Sequence, residues 1–240
     1  MSLEKAYEWY KSHTHDVHQS WKELGGEKQW EGYNQLNKLI EEIKDEFNFQ
    51  KIICVETGAS QDKNDGAFGL FFAKLCELTN GEFHSVENNL NILDKSKSMY
   101  EKHGVKVKHY LQDSVEFLKS VKIVPNLIHL DSWDLDLEDP FPSALHGWRE
   151  FTAIEDKMPI GSIIIIDDNF FKGTWVNWVL NYIEGKSMDD QEYKKIDIEY
   201  PIIGKGSMVY HFVEGGSSNW KKLSKDVVGS NQKIIFKKIK

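Results

Sequence analysis

The sequence predicts an α/β fold in which a mostly parallel sheet carries helices on both faces. From residue 51 onward, short apolar segments alternate with segments of helical period, which is the order typical of a parallel sheet wrapped by helices. Acidic residues end these apolar segments at Glu56, Glu87, Asp131, Asp167 and Asp168. Because the carboxyl ends of parallel strands meet at one edge of the sheet, this succession of acids predicts a functional site at that edge.

The region before the alternating pattern is predicted to be helical. Apolar residues recur at helical spacing over residues 34–47, and the stretch before them is polar and aromatic. We therefore expect residues 1–48 to form an N-terminal helical cap over a substrate pocket. Residues 49–240 are expected to form the α/β domain.

Strands and helices can be assigned in order along the α/β domain. The last assigned strand of the parallel set, SIIIIDD, is apolar on both faces and is expected to be central. The predicted strands are residues 51–57, 83–87, 105–111, 126–131 and 162–168, and the predicted helices are residues 67–79, 90–103, 114–120, 143–158 and 175–183.

The C-terminal part of the chain is predicted to end the domain with antiparallel strands. Residues 193–200 and 207–213 are expected to pair with each other, with Gly204-Lys205-Gly206 as a tight turn near the substrate mouth. Hairpin geometry alone explains these glycines, and Lys205 is a weak candidate for substrate contact. Residues 233–240, in which lysines alternate with Ile and Phe, are predicted to form a terminal edge strand.

Composition and charge argue against several classes of protein. The net charge of −8 and the scattered basic residues disfavour a nucleic-acid partner, because phosphate contacts need a basic surface. No apolar run reaches membrane-spanning length, so no membrane partner is expected. Cys54 and Cys76 have no metal or disulfide spacing and are predicted to be buried thiols in a reducing cytoplasm.

The segment Glu56-Thr57-Gly58-Ala59-Ser60 follows the first strand of the α/β domain. A glycine at this point lets the backbone approach a ligand closely, and the preceding acid can accept hydrogen bonds. The spacing is not that of a dinucleotide-binding G-x-G-x-x-G motif, because Ser60 and Lys63 stand where its second and third glycines would fall.

Two further segments at strand ends are candidates for contacts with a nucleoside. Glu87, followed by Asn88, ends the second strand, where a carboxylate can accept hydrogen bonds from both hydroxyls of a ribose. Asp113 and Ser114 end the third strand. Either can cap the following helix, contact a base, or do both.

The acids after the fourth and fifth strands are candidate ligands for a metal ion. Asp131, Asp167 and Asp168, with Asn169 beside them, form an all-oxygen set that suits Mg²⁺, Mn²⁺ or Ca²⁺. A bound cation would lower the pKa of an acceptor hydroxyl and orient it. In the alternative interpretation, Asp167 and Asp168 cap the next helix or face water.

A reaction without metal would need a general base from the same region. Asp131, His129 and His146 are the candidates for this catalytic role. His129 precedes Asp131 by two residues on the same side of the strand, although a buried structural histidine is the default there. His146 shares a helix face with Glu150, and an ordinary surface pair is slightly favoured.

The order of these signals resembles that of the class I S-adenosylmethionine-dependent methyltransferases over about residues 50–215. The matching segments are Val55-Glu56-Thr57-Gly58 as the first motif, Glu87 as the ribose acid, Gln112-Asp113-Ser114 as the adenine loop, and Asp131 after the fourth strand. One feature departs from the family: its usual second glycine would fall at Asp62, and the nearest glycine is Gly66.

Within that class, residues 129–134 and 166–169 are similar to the small-molecule O-methyltransferases, in particular the sugar-modifying branch. The resemblance implies a Rossmann-like sheet of seven mostly parallel strands and methyl transfer from S-adenosylmethionine to a hydroxyl of a sugar or glycoside. It also implies a divalent cation such as Mg²⁺. The implied cofactor-binding residues are Glu56, Thr57, Gly58, Ala59, Ser60, Glu87, Asn88, Asp113, Ser114 and Asp131.

Two other classes of function remain open at this point. One is an NAD-linked sugar oxidoreductase or epimerase, against which the absence of G-x-G-x-x-G and Tyr-x-x-x-Lys motifs argues. The other is a methyltransferase-like binding module without activity, against which the intact strand-end acids argue. The sequence leaves a homo-oligomer open.

Overall fold

A mixed β-sheet with a parallel centre forms the middle of the protein, and helices cover both of its faces. The computed structural model describes residues 2–14, 29–60, 68–178, 192–196, 199–216, 219–227 and 232–240. The strands are β1 (Ile53–Thr57), β2 (Glu82–Glu87), β3 (Lys108–Leu111), β4 (Leu127–Leu130), β5 (Ile163–Phe171), β6 (Trp175–Trp178), β7 (Glu192–Lys195), β8 (Ile202–Gly204), β9 (Trp220–Lys222) and β10 (Gln232–Lys238).

Two of the helices begin at residues whose side chains accept hydrogen bonds from the first amide groups. Asn89 caps one helix through hydrogen bonds from Asn91 N and Ile92 N, and Asp113 caps another through a hydrogen bond from Glu116 N. The helices are α1 (Ser2–His13), α2 (Gln29–Ile43), α3 (Phe68–Leu78), α4 (Leu90–Lys102), α5 (Ser114–Ser120), α6 (Phe141–Ile154), with a 3₁₀ turn at Glu155–Lys157, and α7 (Ser207–Glu214).

The strand order of the main sheet is β3-β2-β1-β4-β5-β10-β9, and β8 pairs with the end of β5. Strands β1 to β5 run parallel, whereas β8, β9 and β10 add antiparallel pairings. The order reverses between β1 and β4, which is the point where open α/β sheets bind ligands at the carboxyl ends of their strands. The described sheet therefore has eight strands and is mixed, rather than seven strands that are mostly parallel.

Successive side chains of the central strands belong alternately to two apolar clusters, one on each face of the sheet. Cys54 of β1 and Ile165 of β5 pack with helices α1 to α3, whereas Val55 and Ile166 pack with α5, α6 and α7. Both faces of these strands are buried, which explains the unbroken apolar runs in their sequences. Cys54 and Cys76 are free and buried, as predicted.

The N-terminal helices pack on the same face of the sheet as α3. Ala6 and Tyr10 of α1 are fully buried, and the Tyr10 ring stacks against Phe68 at a centroid distance of 6.4 Å. These residues belong to the cluster that also holds Cys54 of β1. The division of the chain at residue 48 stays a prediction.

Two sequence-based assignments near the C-terminus are wrong. Residues 175–178 form β6, which pairs with β7, instead of beginning a helix; residues 179–183 lie outside the described part of the chain. Residues 207–213 belong to helix α7, so they do not pair with residues 193–200. Val209, Tyr210 and Val213 are its buried side chains, a spacing that fits a helix. Short aromatic and β-branched runs fit either period, which is why the local pattern failed.

The predicted terminal strand exists, but it is not at an edge. β10 pairs with β5 on one side and with β9 on the other. Its lysines can be accommodated there because each finds an acceptor: Lys233 contacts Asp167, Lys237 contacts Glu46, and Lys238 donates to the carbonyl of Glu155. Over the described residues, no helix has both the length and the apolar character needed to cross a membrane.

Candidate functional site

The first loop of the site begins at Gly58, directly after β1. Gly58 has φ +76°, and a Cβ on it would lie 2.5 Å from the carbonyl oxygen of Asp131. Its amide donates to Val86 O over 3.0 Å. The turn therefore brings the ends of β1, β2 and β4 into contact, and a glycine is needed both for the backbone angle and for the close approach.

Glu56 lies beneath this turn and is 0% exposed. Its carboxylate accepts hydrogen bonds from the hydroxyls of Ser60 (2.6 Å), Tyr100 (3.1 Å) and Ser85 (3.2 Å), and from the amide of Ser60 (3.3 Å). Ser60 Oγ in turn accepts from the amide of Gly69 at the start of α3 (3.1 Å). Glu56 thus ties the loop after β1 to the core, and the other predicted residues of this loop, Thr57 and Ala59, are buried as well.

Glu87 stands at the end of β2, beside the same turn. Its Oε2 accepts from the amide of Ala59 (3.2 Å), and its Oε1 accepts from the amide of Asn89 (2.8 Å). A carboxylate offers about four lone-pair positions, so both oxygens keep capacity for a ligand. Asn88 is exposed next to it. The structure therefore brings Glu87, Gly58 and Ala59 together, as the sequence predicted for neighbouring strand ends.

The loop after β3 connects to helix α6 through a hydrogen bond. Asp113 caps α5, and Ser114 Oγ lies 3.0 Å from His146 Nε2. The same ring nitrogen is 3.5 Å from Glu150 Oε1, which accepts a 2.6 Å hydrogen bond from Ser132 Oγ after β4. His146 and Glu150 are therefore not a plain surface pair: Glu150 is buried, and the two side chains join the loops after β3 and β4.

Trp133 is a feature that the sequence reasoning missed. Its side chain is 58% exposed, and its ring lies 5.3 Å from that of His146, tilted by 30°. Its φ of +63° is a genuine outlier for a bulky residue, and such strain concentrates at functional sites. A tryptophan two positions after Asp131 was the signal available in the sequence.

Asp131, which follows β4, lies close to Asp167 and Asp168, and two lysines contact these acids. Strand β5 continues to Phe171, so Asp167 and Asp168 lie within it and not at its end as predicted. Lys205, whose side chain is 3% exposed, places Nζ 2.7 Å from Asp131 Oδ1 and 2.8 Å from Asp168 Oδ2. Lys233 of β10 forms an ion pair with Asp167 Oδ2. Although burial alone would lower the pKa of Lys205, the carboxylates of Asp131 and Asp168 hold that pKa above its ordinary value.

His129 is buried on the same face as Glu56, behind the acids. Its Nδ1 is 3.8 Å from Glu56 Oε1 and its Nε2 is 3.7 Å from Asp167 Oδ2, distances too long for hydrogen bonds but short enough for strong attraction between charges. Burial would lower the pKa of His129, but Asp167 and Glu56 outweigh burial and raise the pKa to about 9. A histidine that is charged at neutral pH is a poor general base.

Asp131, the acid that follows β4, is partly open to solvent. Its side chain is 21% exposed. Burial raises the pKa of Asp131 to about 6, with Lys205 opposing the shift and Asp167 adding to it. A carboxylate with a pKa near 6 is suited to accept a proton at neutral pH.

Two of the four predicted metal ligands, Asp131 and Asp167, are close in space. Single ligand atoms of these two acids and of His129, which the sequence predicted as a candidate base rather than a ligand, lie within 4.8 Å of one another. Asn169, however, is fully buried and engaged at both ends of its amide. It accepts from Gly206 N (2.7 Å) and donates to Ile166 O (2.9 Å), Asp167 O (2.9 Å) and Gln232 O (3.2 Å).

Comparison with known proteins identifies the fold. Neither a protein-family model nor a curated protein sequence matches this chain. Solved structures do match it, and together with the sheet order they define a Rossmann-like methyltransferase fold.

One similar structure is an rRNA methylase from Streptococcus thermophilus, with a TM-score of 0.51, 11% identity, and coverage of 86% of this chain and 97% of that one. Another is a protein of Streptococcus mutans described as a methyltransferase and solved in complex with SAH (TM-score 0.53, 11% identity, 85% and 97% coverage). A third, from Klebsiella pneumoniae, is described as an O-methyltransferase (TM-score 0.50, 14% identity, 83% and 77% coverage). At these identities the likeness concerns the fold alone.

Proposed function

We propose that this chain is an S-adenosylmethionine-dependent methyltransferase that acts on a hydroxyl group of a small molecule. The observation that carries the proposal is that the Gly58 turn, Glu87 and Asp131 come together at the carboxyl ends of β1, β2 and β4, respectively. This place is beside the point where the strand order reverses. The methyltransferase fold of similar structures supports it, one of which is in complex with SAH.

When bound, S-adenosylmethionine supplies a methyl group on a positively charged sulfonium. On the protein side, Gly58 leaves room for the ligand to approach the backbone. The remaining lone pairs of the Glu87 carboxylate are proposed to accept hydrogen bonds from the ribose hydroxyls. Asp113 and Ser114, which follow β3, are proposed to lie beside the adenine. Glu56 acts from beneath, by holding Ser60 and the turn in place.

Asp131 is proposed as the general base on the acceptor side. Its carboxylate is partly exposed, and its pKa of about 6 leaves it ionised at neutral pH yet able to take the hydroxyl proton. His146, joined to Ser114 and near Glu150, is proposed to hold the neighbouring loops instead. His129 is proposed to act through charge, because it is buried behind Asp167.

A sugar or glycoside is the acceptor class that we propose. The exposed Trp133 ring, on the loop that begins at Asp131, offers an apolar face, and the carboxylates of Asp131 and Asp168 offer acceptors for hydroxyls. The net charge of −8 opposes a polyanionic substrate such as RNA. The similarity to an rRNA methylase does not bear on this choice, because it concerns the fold.

The test combines ligand binding with product detection. Calorimetry with S-adenosylmethionine, SAH and NAD⁺ is expected to show saturable binding of the first two only. Formation of SAH is then followed with a panel of sugars, glycosides, catechols and a structured RNA, and we expect turnover with the sugar-bearing compounds. Binding of NAD⁺ instead would support an oxidoreductase, binding of neither would support a module without activity, and turnover with RNA alone would overturn the small-molecule acceptor.

A further inference from the structure

Lys205 is a buried lysine whose ammonium group lies between Asp131, which follows β4, and Asp168 of β5. Besides Asp131 Oδ1 at 2.7 Å and Asp168 Oδ2 at 2.8 Å, its Nζ lies 3.3 Å from the main-chain oxygen of Asp131. An ammonium group has three protons, and three oxygens surround this one. The side chain of Lys205 therefore has a complete set of acceptors inside the protein.

The backbone of the turn holds Lys205 in this position. Gly204 has φ +122°, and a Cβ on it would lie 2.0 Å from Asp168 O. The amide of Gly206 donates to Asn169 Oδ1 over 2.7 Å. On the other side, a Cβ on Gly147 of α6 would lie 2.2 Å from the carbonyl oxygen of Lys205. The turn is thus packed between β5 and α6, which fixes the backbone of Lys205 beside the acids that its ammonium contacts.

The remaining acid of this group is also matched by positive charge. Lys233 of β10, the strand that pairs with β5, forms an ion pair with Asp167. The His129 ring lies 3.7 Å from the same carboxylate. Asp131, Asp167 and Asp168 are therefore each in an ion pair with a lysine. A divalent cation added here would meet the ammonium groups at close range without any unpaired carboxylate to offset the repulsion.

We propose that Lys205 takes the place of the divalent cation at this site, so that the protein works on its acceptor without a bound metal ion. The carboxylate oxygens of Asp131 and Asp168 cannot bind the ammonium group and a metal ion at the same time. Mg²⁺ needs ligands at about 2.0–2.1 Å in an octahedron, whereas the ammonium of Lys205 already occupies the space between these oxygens. Lys205 is a positioning residue: it holds the carboxylates of Asp131 and Asp168 in fixed orientations beside the acceptor. We assign it to the acceptor side on the basis of the function proposed above.

The test measures binding of Mn²⁺ to the purified full-length protein by the electron paramagnetic resonance signal of the free ion. We expect no saturable binding by the wild type up to about 1 mM Mn²⁺. Lys205→Met keeps the length of the side chain but removes its charge, so it should gain a Mn²⁺ site at least about tenfold tighter than any in the wild type. Adding Asp131→Asn to that variant should abolish the new site. Lys238→Met removes another buried lysine, far from these acids, and should gain no site.

Two results would overturn the proposal. The first is Mn²⁺ binding by the wild type that Asp131→Asn removes, and this measurement decides the matter even where Lys205→Met does not fold. The second is a folded Lys205→Met protein, with a native circular dichroism spectrum, that still binds no Mn²⁺. Neither readout depends on S-adenosylmethionine, so calorimetry with that ligand on the same preparations tests the proposed function separately.

Discussion

Gly58 lies against the main chain of Asp131 where β1 and β4 end. A Cβ on Gly58 would lie 2.5 Å from Asp131 O and 2.7 Å from its carbonyl carbon. This contact joins the loop proposed to hold the cofactor to the residue proposed to accept the proton. It also places the two loops on either side of the point where the strand order reverses. A change at Gly58 should therefore affect both folding and ligand binding.

Gly58→Ala is expected to lower the free energy of unfolding by roughly 3 kcal/mol, because it combines a left-handed φ with a backbone clash. S-adenosylmethionine affinity should fall more than about tenfold as the turn shifts. Chemical denaturation and calorimetry measure the two effects. Gly104→Ala is the matched control: its φ is +65° but nothing lies within 4 Å of its Cβ, so about 1 kcal/mol is expected. Equal losses in the two variants would contradict the clash.

Glu87→Gln is expected to weaken S-adenosylmethionine binding by about 10–100-fold, because an ionised acceptor for hydroxyl groups is lost. The side chain keeps its shape, so stability should change by less than about 1 kcal/mol. Calorimetry gives the affinity and thermal melting gives the stability. Glu82→Gln, on the same strand but paired with Lys108 at the surface, should bind like the wild type. Unchanged affinity in Glu87→Gln would remove Glu87 from the cofactor site.

Trp133→Gly should separate acceptor binding from folding. The φ of +63° is easier for glycine than for tryptophan, and the ring is 58% exposed, so stability should stay the same or rise by up to about 1 kcal/mol. The KM for the acceptor should rise about tenfold while S-adenosylmethionine affinity is kept. Ile160→Ala, which removes an exposed apolar side chain before β5, serves as the control with an unchanged KM. An unchanged KM for Trp133→Gly would exclude a contact with the acceptor.

Stability should fall as the pH rises, because of His129. The pKa of His129 is raised to about 9 in the folded protein, above its unfolded value of about 6.5. Its contribution is therefore complete below pH 6.5 and is lost as the pH rises through 9, which amounts to at most about 3 kcal/mol. Urea denaturation across this window measures the slope. His129→Gln should flatten this dependence of stability on pH. His109→Gln should leave the dependence unchanged, because burial lowers the pKa of His109. Equal slopes in the wild type and His129→Gln would show that His129 is not charged.

Much of the parallel part of the fold could be predicted from the sequence. Strands β1 to β5 and the helices between them follow from apolar runs, helical spacing and capping residues such as Asp113, all of which are local signals. The meeting of Gly58, Glu87 and Asp131 also followed, because parallel strands place their carboxyl ends together. The C-terminal third was harder: residues 207–213 carry a short apolar run that fits either a strand or a helix, and packing against α6 selects the helix.

By itself the sequence determined which residues would stand at the carboxyl edge of the sheet, since chain order and strand period place Glu87, Asp131 and Asp167 there. Only the tertiary structure decided what surrounds these acids. Lys205 and Lys233 reach Asp131 and Asp167 across 74 and 66 residues of sequence. No local period encodes such pairings, because they depend on β10 inserting next to β5 and on a turn wedged against α6. The physical consequence is that a cluster of acids with the composition of a metal site is paired with two ammonium groups and a charged histidine of the protein itself.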